Sequence, residues 1–72
     1  MALYNRLKEI RLQNALTQET LAQKVGVTRQ TIIAIEKSKF VPSVKLALEI
    51  ASTLDVALES LFWLETHQGG KP

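Results

Sequence analysis

Arg29 and Gln30 are neighbours, and each ends in a planar set of hydrogen-bonding groups. An arginine fork can pair with guanine O6 and N7, and a glutamine amide with adenine N6 and N7. Both follow Thr28, whose hydroxyl can accept a bond from a free backbone N–H and so start a helix. They therefore fall in the first turn of a predicted helix over about residues 29–37. Thr31 in the same turn can reach a base or a phosphate. Ile33 and Ala34 lie one turn further on the same side, where either can touch a thymine methyl. Lys37 and Lys39 follow the helix and suit a phosphate backbone; as simple solvated lysines they need no partner.

A second helix must hold this one in place. Thr17 repeats the grammar of Thr28 as an N-cap, with Leu16 before it and Leu21 four positions in, the spacing of a hydrophobic staple. The predicted helix runs over about 18–24 and turns Leu21, Ala22 and Val25 inward. Gly26 stands between the two helices, in a link that needs a residue able to take positive φ. Ala22 is small where the next helix must cross closely, and Val27, Ile32 and Ile35 supply its apolar side. Two capped helices across so tight a turn have the layout of a helix-turn-helix, whose second helix enters a DNA major groove. A helical corner with no nucleic-acid role is the alternative.

The other elements follow from periodicity. Leu3, Leu7 and Ile10 predict a first helix over about 4–13, ended by Asn14 and Ala15. Pro42 closes a loop over 38–42, and Ser43 caps a helix over about 44–54. That helix is apolar on almost every side, from Val44 through Leu48 to Leu54, which predicts a buried central element. A fifth helix is expected over about 57–62, although Ala57 is a poor cap and Asp55 a poor left-handed residue. Phe62–Thr66 has β character, and an antiparallel pairing with Met1–Tyr4 is an open alternative. The expected fold class is thus all-α with five helices, forming one domain over residues 1–66 and a flexible tail over 67–72.

Composition narrows the function. Only 72 residues are present, and a domain this small buries about 60% of its unfolded surface, so it needs a tight core or a partner. Cysteine is absent, and His67, alone in a polar tail, is too little for a metal site. Neither a nucleophile motif nor a glycine-rich phosphate loop occurs, so no enzyme, cofactor or small-molecule ligand is expected. No apolar run is long enough for a membrane, and Asn5 and Arg6 interrupt any secretory signal, which makes the cytoplasm the expected compartment. Charge is divided: residues 1–39 carry +4 and residues 40–72 carry −2. A basic half suits a polyanion, although ordinary solvated charge explains it equally.

The chain resembles the Cro/CI-type helix-turn-helix regulators, also called the XRE family, over roughly residues 5–64. The resemblance rests on Arg6–Arg11, Leu16–Ala22, Val25–Ile32, Ile35–Lys37, Pro42-Ser43 and Leu46–Ala51. It implies a five-helix, lambda-repressor-like fold that binds operator DNA as a homodimer, in repression or less often activation. Minimal repressors with little beyond the DNA-binding domain are the nearest type. The resemblance also implies that Gln18 holds a phosphate at a helix N-terminus, and that Arg11 and Glu36 form an ion pair joining the first helix to the third. Ile33 departs from the family, where that position is often polar. It is either a methyl reader or a surface isoleucine.

Thr17 and Thr28 can add hydroxyl contacts to DNA beside their capping. Trp63 and Leu64 fall off the inner face of the fifth helix and, with Leu58, are expected to form a dimer surface, with simple core packing as the alternative. An antitoxin or other protein-interaction module on the same fold is the alternative function.

Overall fold

The computed structural model describes residues 1–65; Thr66 and the expected tail with His67 lie outside the described residues. The elements are β1 (Leu3–Asn5), α1 (Leu7–Gln13), α2 (Gln18–Val25), α3 (Arg29–Glu36), α4 (Val44–Leu54), α5 (Leu58–Leu61) and β2 (Phe62–Leu64). Among the described residues five helices enclose one core, in which Leu7, Leu21, Ile32, Ile35, Ile50, Leu54 and Leu61 are fully buried. Burying each of these side chains contributes about 1.5–3 kcal/mol.

The terminal pairing is formed. β1 and β2 are antiparallel, with Leu3 opposite Leu64, Tyr4 opposite Trp63 and Asn5 opposite Phe62. This moves the start of α1 from residue 4 to Leu7. Leu3, placed by periodicity on the first helix, packs against the core from the ribbon instead. The Asn5 carboxamide oxygen accepts the Leu7 N–H at 3.0 Å and so occupies a free donor at the new helix start. A two-stranded ribbon is marginal in water; Phe62, itself buried, anchors this one to the helices.

The three hydroxyl caps form as the sequence requires. Thr17 accepts from Thr20 N–H, Thr28 from Thr31 N–H and Ser43 from Leu46 N–H. The helix C-termini share one closure. After α1, α2, α3 and α4 a residue adopts positive φ: Ala15 (57°), Gly26 (74°), Ser38 (60°) and Asp55 (59°). The next N–H then bonds back five residues: Leu16 to Arg11, Val27 to Ala22, Lys39 to Ala34 and Val56 to Ala51. This is the wrapped closure that satisfies the last free carbonyls. Leu16, Val27 and Val56 then fold onto the core. At Gly26 an added Cβ would meet no atom within 4 Å, so conformation alone calls for glycine there.

α4 corrects the expectation of a helix buried all round. Ala47, Ile50, Ala51 and Leu54 are buried, whereas Val44 (73% exposed) and Leu48, one turn later, face outward. α5 is shorter than expected. It has no side-chain cap at Ala57 and ends where the chain straightens into β2 at Phe62.

Candidate nucleic-acid interface

At about 100° per residue, α3 turns Ile32 and Ile35 toward the core and presents Gln30, Ile33 and Ala34 on the opposite side, with Arg29 at one flank. Arg29 and Gln30 are exposed, and Ile33 and Ala34 are half-buried. Thr31 lies at the flank, its N–H on Thr28 Oγ1 at 3.3 Å and its hydroxyl 3.2 Å from the same oxygen. Lys37 and Lys39 are exposed in the closure after α3. Of the expected readers, Gln30, Ile33 and Ala34 share the outer face of α3, Arg29 and Thr31 flank it, and the lysines follow its end. Arg6, counted with the basic half, belongs elsewhere: its guanidinium lies over the Trp63 ring at 5.0 Å.

The inner end of α3 is held by a polar cluster. Arg11 Nε donates to Glu36 Oε2 at 2.7 Å, and Nη2 donates to Oε1 at 3.4 Å. Nη1 donates to the Leu16 carbonyl at 2.8 Å. The two charged side chains are only 7% and 5% exposed. Their attraction is opposed by the cost of leaving water, so the pair fixes geometry more than it adds stability. The cluster joins α1, α3 and the closure before α2.

Gln18 is more constrained than its expected phosphate role requires. Its Nε2 donates to Glu36 Oε1 at 3.1 Å, tying the N-terminus of α2 to the end of α3. One amide hydrogen remains for another acceptor. Thr17 is committed more fully, because its hydroxyl donates to Thr20 Oγ1 at 2.9 Å while accepting the Thr20 N–H. A phosphate bond from Thr17 would have to replace the bond to Thr20.

On the ribbon side, Leu58 is half-buried against the core, whereas Trp63 (38% exposed) and Leu64 remain accessible. With Leu3, Val44 and Ala47 they line an apolar groove between α4, α5 and β2. Val44 was missed as a surface residue because α4 reads as apolar throughout. Asn5 was missed as well. Its Nδ2 donates to the Ile35 carbonyl at 3.0 Å, thirty positions along the chain, and nothing local signals that contact.

Comparison with known proteins bears on the fold and the family. Residues 7–61 match the helix-turn-helix family. An HTH-type transcriptional regulator of Methanocaldococcus jannaschii is 56% identical over 64 residues, covering 89% of this chain and 97% of that protein. The HTH-type transcriptional regulator YgzD of Bacillus subtilis is 49% identical over 61 residues, covering 85% and 92%. Among solved structures, the restriction-modification controller protein C.AhdI of Aeromonas hydrophila superposes with a TM-score of 0.70 at 31% identity, covering 75% of this chain and 78% of that one. No helix among the described residues is long and apolar enough to cross a membrane. The chain belongs to the XRE-type helix-turn-helix family of DNA-binding transcriptional regulators.

Proposed function

We propose that the protein is a repressor that binds a palindromic operator as a homodimer, each subunit laying α3 in a major groove. The observation that carries this reading is the exposed Arg29–Gln30 pair on the outer edge of a helix whose inner end is pinned through Glu36. Arg29 reads a guanine and Gln30 an adenine. Ile33 and Ala34 lie against thymine methyls, and Thr31 takes a base edge or a phosphate. Gln18 gives its remaining amide hydrogen to a phosphate beside the α2 N-terminus. Lys37 and Lys39 neutralise the backbone, with Thr17 and Thr28 at the helix starts beside it.

The groove containing Leu58, Trp63 and Leu64 supports the dimer, because a two-fold contact there would cover apolar surface that one subunit leaves in water. Two-fold symmetry calls for half-sites about 34 Å apart. Occupying such a site is enough to repress and needs no further domain.

The test is a mobility-shift titration on DNA upstream of the protein's own gene, against scrambled duplex of equal length and over a range of salt. A selective shift that weakens steeply with salt is expected. Arg29→Ala should lose about 1–3 kcal/mol and relax one operator position. Equal binding of both duplexes would refute the reading.

A further inference from the structure

We infer that Asn5 is a positioning residue for the reading helix, fixing the last turn of α3 against the terminal ribbon. The inference rests on the reading that α3 contacts the bases. Asn5 is half-buried and makes two bonds that demand opposite ends of its carboxamide. The oxygen must face the Leu7 N–H, a donor, and the nitrogen must face the Ile35 carbonyl, an acceptor. Only one orientation of the amide satisfies both.

The acceptor has a particular place. The Ile35 carbonyl also accepts the Ser38 N–H at 3.0 Å, and the Lys39 N–H bonds to Ala34 at 2.8 Å. Asn5 therefore braces the closure that carries Lys37 and Lys39 away from α3. One residue further, Glu36 is bound by Arg11 and Gln18. The end of α3 is thus tied to α1 and α2 through Glu36, and to β1 through Asn5.

The β1 tie has a consequence that the others lack. Asn5 stands opposite Phe62, the residue before Trp63. A subunit contact at Trp63 and Leu64 therefore connects to the reading helix through one cross-strand pair and one side-chain bond. Asn5 sets the angle at which the end of α3 is presented relative to the ribbon. Small errors there would misplace Arg29 and Gln30 without unfolding the domain.

Asn5→Ser and Asn5→Asp separate the two bonds. Each keeps an oxygen for the Leu7 N–H. Serine is too short to reach Ile35, and aspartate turns an acceptor toward an acceptor. Native-state hydrogen exchange should show the Ser38 and Lys39 amides exchanging about tenfold faster, the worth of one neutral hydrogen bond, with α1 protection retained. Preference for the upstream DNA over scrambled duplex, at equal folded fraction, should fall several-fold, while affinity for scrambled duplex stays the same. A purely structural role would lower both affinities together. Wild-type exchange at Ser38 and Lys39, or an unchanged preference alongside faster exchange, would overturn the inference. If the wild-type protein prefers neither duplex, the proposed function fails, and the exchange measurement alone still decides whether Asn5 holds α3.

Discussion

Glu36→Ala is the most informative single change to the fold. It removes the partner of two Arg11 nitrogens in a site where the Arg11 side chain is 7% exposed. Only the Nη1 bond to the Leu16 carbonyl survives, and Gln18 loses its acceptor. Stranding one member of a buried pair costs about 3–5 kcal/mol. A domain of this length has a total stability of roughly 4–11 kcal/mol. The variant should therefore lose a large part of its stability, read as a lower urea midpoint by far-UV circular dichroism. The double variant Arg11→Met, Glu36→Leu removes both charges and should recover most of that loss or exceed the wild type. Regained stability should not bring back selective DNA binding, because neither side chain can hold Gln18. A loss under about 1 kcal/mol for Glu36→Ala would refute the reasoning, since an exposed pair behaves that way. A double variant no more stable than Glu36→Ala would refute it too.

Three further outcomes are expected. Glycine at Ala15, Ser38 or Asp55 should raise stability, since the left-handed conformation costs a side chain about 1–2 kcal/mol; glycine's entropy cost returns part of that. The gain should be largest for Ala15→Gly and smallest for Asp55→Gly, because aspartate visits that conformation more readily; thermal denaturation measures it, at about 4–8 °C per kcal/mol. Lys39→Ala should weaken binding to every duplex alike and flatten the slope of log affinity against log salt by about 0.9. Leu64→Asp should shift sedimentation equilibrium toward monomer without unfolding the domain, because Leu64 is exposed in one subunit.

Local chemistry was legible in the sequence and distant pairing was not. Thr17, Thr28 and Ser43 were readable as caps because cap and donor are three residues apart. Gly26 was readable because positive φ has a residue preference; Ala15 and Ser38 were not, because they take the same conformation against theirs. Asp55 looked unsuited to its position and occupies it all the same, held by the closure through Val56. Leu3 was misassigned because its spacing to Leu7 suits a helix, while the partner that claims it, Leu64, is at the far end of the chain. Val44 and Leu48 continue the apolar pattern of α4, and only the packing of the other helices leaves them uncovered. The Arg11–Glu36 pair is implied by the family resemblance; the bond from Gln18 to the same carboxylate joins residues 18 positions apart and has no local signal.

The β1–β2 ribbon also bears on how the protein matures during synthesis. β1 is translated before the helices and β2 after them, so the hairpin-free pairing of Leu3 with Leu64 closes almost the whole chain. Such a contact is late in entropy terms, since a long loop must be drawn shut before any bond rewards it. The helix-turn-helix has only neighbouring segments to bring together, but its buried side shares one core with Ile50, Leu54 and Leu61 and is completed only with them. Until Leu64 has been made, Asn5 has no strand to lie in and the apolar side of Leu3 is uncovered. On the proposed function, competence for selective binding would arrive with β2, whose pairing with β1 seats Asn5 against α3.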